Sequence, residues 1–117
     1  MSFDWSRGAL ADGLTCYRSG EFFLAHEHWE GVWLECAEPE KTFLQALIQI
    51  AAALHHLGRE NPRGAASLLR GALRKLSPYA DDYGGVAVDS LRQSIGAWLI
   101  ALDRGERSPH LPVPQIR

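Results

Sequence analysis

The chain has 117 residues, of which 46% are apolar and 22% charged, and its net charge is −2 at neutral pH. These values are ordinary for a folded globular protein, and they exclude a disordered or fibrous chain. A net negative charge repels polyanions, so we expect no nucleic-acid partner. A chain of this length suffices for one hydrophobic core, and we predict a single helical domain over residues 1–117.

The cysteines and the start of the chain indicate a reducing compartment. Cys16 and Cys36 are far apart and lack CxxC spacing, which predicts free thiols rather than a disulfide framework or a zinc knuckle. Residues 1–5 include the acidic Asp4, where a secretory signal has basic residues. Apolar runs also fall short of the roughly 20 residues of a membrane span. We therefore expect a cytoplasmic protein with no membrane partner.

The first third of the chain predicts two helices. Asp4 is a suitable N-cap for a first helix over about residues 5–18, and Gly20 is a typical stop signal. A second helix is predicted from about residue 21 to 36 because its apolar residues recur at three- and four-residue steps. This second helix contains the segment His26–Trp33, the densest group of polar and aromatic side chains in the sequence.

The middle of the chain predicts two further helices. Residues 39–57 are apolar nearly all round the helix, which is typical of the most buried helix of a bundle. Asn61 followed by proline is a strong helix start, and the apolar stripe of residues 62–76 ends before Pro78. We therefore expect a central third helix and an amphipathic fourth helix.

The C-terminal third predicts a loop, a last helix and an extended tail. Residues 79–85 are polar and rich in glycine, whereas residues 86–102 return to a helical apolar pattern. The proline-rich residues 108–114 cannot be helical and should lie extended along the protein. Because short turns join the five predicted helices, the predicted fold is all-α, a compact antiparallel bundle with an extended C-terminal tail.

Polar residues of the second predicted helix share one face. His26 and Glu30 are four residues apart, so their side chains can meet directly, as an ion pair or as two ligands of one metal. Trp33 continues this face, and Glu27 lies about 100° round the helix. His26 and Glu30 are therefore the better pair.

A second polar line runs along the third predicted helix. Gln45, Gln49 and His56 follow one another at helical spacing on an otherwise apolar segment. A buried glutamine or histidine without a partner costs about 1–3 kcal/mol, so these side chains need hydrogen bonds. The polar face of the second helix is the expected partner. We predict that His26, Glu30, Gln49 and His56 converge into one cluster.

Such a cluster has three alternative uses. Two histidines and a carboxylate suffice to hold a divalent transition metal, zinc or iron, with open positions for water or substrate. Without a metal, Glu30 can hold His26 in the form needed for general acid–base chemistry. The third use is a purely structural hydrogen-bond network that fixes the packing of the two helices.

The same residues carry a resemblance to a known family. The segments Phe23–Trp33 and Phe43–Gln49, then His56 and Asn61–Ala65, resemble the bacterial and archaeal family called domain of unknown function 309. The resemblance spans about residues 10 to 80, in the order HExxExxW, LQxLIQ, His and NxxGA. It implies an all-helical domain and no known reaction. It also implies that the family signature falls on His26, Glu27, Glu30, Trp33, Gln45, Gln49, His56, Asn61 and Gly64.

The end of this signature has structural interpretations. Asn61 is expected to cap the fourth helix, and Gly64 to allow close approach of another helix. Glu60 departs from the family, which favours a glycine before the asparagine, so the turn into the fourth helix is expected to differ.

The first functional hypothesis is a small-molecule site between helices two and three, hydrolytic and metal-dependent in one version. The second hypothesis is a non-enzymatic helical module that binds another protein, with the polar cluster serving only the packing. In the first hypothesis the candidate catalytic residues, which are also the candidate metal ligands, are His26, Glu30 and His56. The candidate ligand-binding residues are Glu27, Trp33, Gln45 and Gln49.

Overall fold

The computed structural model describes residues 3–117, and within them the secondary structure is helical, with no strand. Met1 and Ser2, part of the N-terminal segment used in the compartment prediction, lie outside the described residues. A short 3-10 turn at Tyr83–Gly85 precedes the last helix. The five α-helices are α1 (Gly8–Arg18), α2 (Phe22–Leu34), α3 (Glu40–Gly58), α4 (Pro62–Leu76) and α5 (Val88–Asp103).

The helices pack in chain order, which confirms the predicted all-α bundle. Each helix contacts the next one along the chain, and the radius of gyration is 13.2 Å. Helices α2 and α3 are antiparallel: Phe23 near the start of α2 contacts His55, and Trp33 near its end contacts Lys41. No helix of the described residues is long and apolar enough to cross a membrane.

Helix α3 lies at the centre of the core, as its apolar sequence predicts. Its polar line is the exception, because Gln45, Gln49 and His56 are only half-buried. The side chains of α3 that are completely buried are Phe43, Leu44, Ala46, Leu47, Ile50, Ala51 and Ala53.

The predicted start of the first helix is wrong. Helix α1 begins at Gly8 rather than near residue 5, and its N-cap residue Arg7 makes no side-chain capping bond. Asp4 instead accepts hydrogen bonds from the backbone and hydroxyl of Ser6 and pairs with Arg7. These local bonds satisfy the carboxylate, so it does not cap the helix.

The other helix ends agree with the prediction to within two residues. The start of α4 agrees fully, because the Oδ1 atom of Asn61 accepts from the Gly64 N–H at 3.0 Å and Pro62 is the first helical residue. Glu60, in the preceding turn, has a φ of 58°. This left-handed conformation favours glycine and costs another residue about 1 kcal/mol. The turn thus has a backbone that would suit the family's glycine.

Candidate functional site

His26 and Glu30 form the expected pair on α2. The His26 Nε2 atom lies 3.4 Å from Glu30 Oε2, with 28% of the histidine side chain and 53% of the carboxylate side chain exposed. The other ring nitrogen, Nδ1, is buried and has no hydrogen-bond partner among the described residues. When Nε2–H donates to Glu30, Nδ1 therefore carries a free lone pair.

A small pocket lies next to this pair, between the start of α2 and the end of α3. Its volume is about 120 Å³, and it is lined by Phe23, His26, Ala52, His55 and His56. The structure thus brings His26 and His56 to one place, as the sequence predicts. It also brings His55, which the helical spacing places on a different side of α3 from His56.

Phe23 explains why His55 belongs to the pocket. The Phe23 ring centre lies 5.2 Å from the His55 ring and 6.0 Å from the His26 ring, so it spans both helices. Burial lowers the pKa of His55, and the nearby positive charge of Arg59 lowers it further, with smaller contributions from His56 and His26. These influences favour a neutral His55 imidazole.

Asn61 determines which nitrogen of His56 carries the proton. Its Oδ1 atom is committed to the Gly64 N–H, so its Nδ2 group is the one that faces His56 Nδ1, at 3.2 Å. An amide NH₂ can only donate, and His56 Nδ1 must therefore accept. The proton of the neutral ring is then on Nε2, and His56 presents an N–H donor on its other side.

Gly64 makes this arrangement possible. A Cβ atom at Gly64 would lie 2.5 Å from Asn61 Nδ2, so a larger residue would displace the amide that orients His56. The three atoms nearest to such a Cβ all belong to the Asn61 side chain, whereas the sequence led us to expect another helix there. His56, Asn61 and Gly64, three signature residues, thus act together to fix one imidazole.

We expect Asn61→Asp to exchange the His56 tautomer while retaining the fold. Aspartate caps a helix as well as asparagine does, but its second oxygen accepts where the amide donated, so the proton should move to Nδ1. The ¹⁵N chemical shifts of the imidazole measure this exchange. As a control, Asn61→Ala removes the cap and should cost about 1 kcal/mol of unfolding free energy. The same tautomer in the parent and the aspartate variant would contradict the assignment.

Trp33 differs from the other three tryptophans. Trp5, Trp29 and Trp98 each donate the indole N–H to a backbone carbonyl, at 2.8, 3.2 and 2.9 Å. The Trp33 Nε1 atom is buried and has no partner among the described residues. The Lys41 ammonium lies 4.3 Å from the centre of its ring. Trp33 therefore offers an unused donor at the end of α2, away from the histidine pocket.

Gln49 does not meet the polar face of α2. Its amide group lies against α4, where a Cβ atom at Gly71 would be 3.2 Å from Gln49 Nε2. Its Oε1 atom is buried and unpartnered among the described residues. Gln45 is half-buried on the same line, and Glu27 is exposed on α2. The four-residue convergence thus reduces to His26 and His56 at one pocket, with Glu30 paired to His26 and Gln49 directed toward α4.

The described residues contain no group of three or more His, Cys, Asp or Glu side chains placed to hold a metal ion. The His56 tautomer bears on this point independently. A histidine that binds a metal through Nε2 donates its Nδ1–H to an acceptor, whereas Nδ1 of His56 faces the Asn61 NH₂ donor. The geometry therefore favours His56 as a hydrogen-bond donor through Nε2–H over His56 as a metal ligand through Nε2.

Sequence reasoning missed two residues of the pocket, His55 and Phe23. His55 is adjacent to His56, so the helical period placed it elsewhere, and the exposed Phe23 carried no polar signal. The signal that could have found them is the antiparallel packing of α2 on α3. It places the start of one helix beside the end of the other.

Comparison with known proteins supports the resemblance. A family model described as "Domain of unknown function (DUF309)" matches residues 10–68, which is half of the chain. An "Uncharacterized protein" of Aquifex aeolicus (strain VF5) is 31% identical over 84 residues, which cover 71% of this chain and 25% of the relative. The matched part thus spans about a quarter of that relative. The chain belongs to the DUF309 family, whose function is unknown.

Proposed function

We propose that the surface between α2 and α3 binds a small polar molecule, and that His26 is the acid–base group of this site. The supporting observation is a pair of buried polar atoms on α2 without a partner among the described residues, His26 Nδ1 and Trp33 Nε1. Each such atom costs about 1–3 kcal/mol, and a cost of this kind needs an explanation in a native protein. A ligand that supplies the missing hydrogen bonds would offset it.

The two atoms define the chemistry of the ligand. The Trp33 indole can only donate, so the ligand must offer a hydrogen-bond acceptor at that end. His26 and Trp33 are seven residues apart on α2, which corresponds to about 10 Å along the helix axis. A molecule that satisfies both is therefore elongated. The pocket of about 120 Å³ admits one group of a few atoms, and the rest of the ligand would lie along α2 toward Trp33.

Acid–base chemistry follows from the orientation of the two histidines. His26 Nε2 lies 3.4 Å from the Glu30 carboxylate, so this pair is placed to take a proton from a ligand hydroxyl that enters beside them. His56, oriented by Asn61, offers Nε2–H to an oxygen that gains negative charge. A hydrolytic reaction is the version of the proposal that uses both groups.

The site needs no metal in this proposal. In the metal-dependent version, zinc or iron would be held by His26, Glu30 and His56. The NH₂ group of Asn61 opposes that version, because it requires a lone pair on His56 Nδ1 rather than a proton. A metal assay of the protein purified without an affinity tag decides between them: stoichiometric zinc or iron would overturn the metal-free version.

The four indole N–H signals test ligand binding directly. We expect at least one of acetamide, glycerol, acetate and inorganic phosphate, at millimolar concentration, to shift the Trp33 signal in ¹H–¹⁵N spectra. The Trp5, Trp29 and Trp98 signals are internal controls, because their N–H groups already donate to carbonyls. Trp33→Phe assigns the signal. If none of the four compounds shifts the Trp33 signal, the result contradicts the proposed ligand site.

His26→Ala distinguishes a ligand site from a structural cluster. For a ligand site, the same compounds should also shift the His55 and His56 imidazole signals of the parent, and the variant should lose that response while its unfolding free energy stays within about 0.5 kcal/mol of the parent, because a half-exposed helical pair contributes little. His28→Ala, on another side of α2, is the matched control and should keep the response. A loss of 1 kcal/mol or more with an unchanged response would favour the structural interpretation.

A second candidate function is a helical protein-interaction module, and the outer surface of α2 favours it. Three of the five large apolar side chains that are exposed in the described residues lie on this helix, namely Phe23, Leu24 and Leu34. Glu27 and Glu30 lie on the same helix, so the matching partner would be an apolar segment with basic residues. Leu34→Asp should abolish such binding without reducing stability, since the side chain is 67% exposed.

A further inference from the structure

The C-terminal segment docks on the bundle at a place separate from the histidine pocket. Residues 111–117 are extended and lie against α1 and α5. The Trp98 indole donates to the Pro112 carbonyl at 2.9 Å, and the Tyr17 hydroxyl donates to the Pro114 carbonyl at 2.6 Å. Ile116 is 1% exposed and belongs to the hydrophobic core. We call residues 111–117 the tail and the surface under it the tail groove.

The tail groove recognises the tail as peptide-binding domains recognise proline-rich ligands. Proline has no N–H, so an extended proline segment can be bound only through its carbonyls and its side chains. Here two buried aromatic residues from different helices, Tyr17 and Trp98, donate to carbonyls two residues apart. The aliphatic Ile116 supplies the buried anchor, whereas Val113 and Gln115 point outward and are exposed. The groove therefore binds the carbonyls of Pro112 and Pro114 and buries Pro114 and Ile116, which in the tail form the pattern Pro-x-Pro-x-Ile.

The tail is attached in a way that allows release. Among the described residues, none beyond Glu106 makes a backbone–backbone hydrogen bond. The bonds that hold the tail come from side chains: those of Tyr17, Trp98 and Arg18, which bind tail carbonyls, and that of Arg117, which binds the Gly85 carbonyl. Residues 104–108, which connect the tail to α5, are exposed. Release of the tail thus breaks no helix.

A cavity of about 580 Å³ lies beside the docked tail, between residues 112–117 and the junction of α1 and α2. Leu14, Tyr17 and Phe22 line its helical side. This volume is within the range of peptide- and ligand-binding sites, and it leaves room for side chains that the tail itself does not supply.

We propose that the tail groove is a docking site for an extended Pro-x-Pro-x-Ile segment of a partner protein, which the chain's own tail occupies when no partner is bound. The tethered tail competes at an effective concentration in the millimolar range, so it acts as an internal competitor for the partner. The partner replaces the same bonds from Tyr17 and Trp98 and the same buried isoleucine. This site is independent of the function proposed for α2 and α3.

The test uses the full chain and a fluorescent peptide with the sequence of residues 108–117. In Ile116→Asp, the charge cannot be buried, so the tail should leave the groove and the peptide should bind at least ten-fold more tightly than it binds the parent. Val113→Asp places the same charge at an outward tail position, 46% exposed, and should bind the peptide as weakly as the parent. A peptide with aspartate in place of its isoleucine should bind neither the parent nor either of the two variants.

Three results would overturn the proposal. The first is no peptide binding to Ile116→Asp when circular dichroism shows it folded, and the second is equal binding to Ile116→Asp and Val113→Asp. If Ile116→Asp does not fold, Ile116→Ala takes its place, with a smaller rise in affinity as the expected result. The third is a parent dimer in sedimentation velocity that the peptide dissociates, because it would identify a second copy of this chain as the occupant.

Discussion

Replacing Gly13 with alanine is expected to lower the unfolding free energy by about 3 kcal/mol. A Cβ atom at this position would lie 2.3 Å from Trp29 Nε1 and 2.5 Å from its Cδ1. The Trp29 ring cannot move aside, because it is completely buried and packs against Trp5 and Tyr17. Overpacking of this kind costs about 1–3 kcal/mol, and loss of the indole bond to the Leu10 carbonyl adds about 1 kcal/mol.

A second glycine provides the control for this prediction. Gly31 lies within α2, and outside its own helix backbone and chain neighbours a Cβ atom there would meet no atom of the described residues within 4 Å. Gly31→Ala should therefore raise the unfolding free energy by about 0.5–1 kcal/mol, which is the ordinary gain of alanine in a helix. Equilibrium urea unfolding measures both variants. Equal stability of the two would show that Trp29 can be displaced and that the α1–α2 contact is loose.

Replacing Phe43 with alanine is expected to lower the unfolding free energy by about 3–5 kcal/mol. The ring is completely buried at the start of α3, with its centre 4.8 Å from Tyr83, 5.0 Å from Tyr79 and 5.9 Å from Phe3. It thus holds both the N-terminal segment and the loop before α5 on the core. Removing the Phe43 ring leaves a cavity lined by the rings of Phe3, Tyr79 and Tyr83, and these rings cannot move close enough together to fill it.

The Tyr83 phenol gives a local readout of the same change. Burial, followed by its hydrogen bond to Glu40, raises the pKa of Tyr83 to about 12. In Phe43→Ala the loop should loosen, and the pKa should fall toward the ordinary value near 10, as measured by ultraviolet absorbance. An unchanged pKa together with unchanged stability would mean that Phe43 does not hold the loop.

Phe23→Ala is the matched exposed control. The ring is 50% exposed, so the unfolding free energy should change by less than about 1 kcal/mol. It contacts His26 and His55, however, and the NMR signals of both imidazoles should shift. The two phenylalanine variants thus separate a residue that holds the fold from a residue that shapes the pocket.

Much of the candidate site was predictable because it depends on spacing within single helices. The pairing of His26 with Glu30 follows from a four-residue step, and the cap at Asn61 follows from its position before proline. The meeting of His26 with His56 needed only the further assumption of antiparallel neighbours. What spacing could not supply is the rotation of each helix about its axis. That rotation decides that Gln49 faces α4 rather than α2.

The sequence by itself determined the helices and the polar lines along them, because helix formation and amphipathic period are local properties of the chain. The start of α1 was the local exception, since the bonds of Asp4 to Ser6 compete with capping. The tertiary structure alone decided the neighbours of each polar atom: His55 joined the pocket, Asn61 fixed the His56 proton, and Trp33 has no hydrogen-bond partner among residues 3–117. The physical reason is that such contacts depend on how buried rings such as Trp29 fit against facing positions such as Gly13. Within the described part of the chain, only the packing of the helices placed a histidine pocket beside His26 and left the Trp33 indole N–H, at the other end of this segment, free to donate to a ligand.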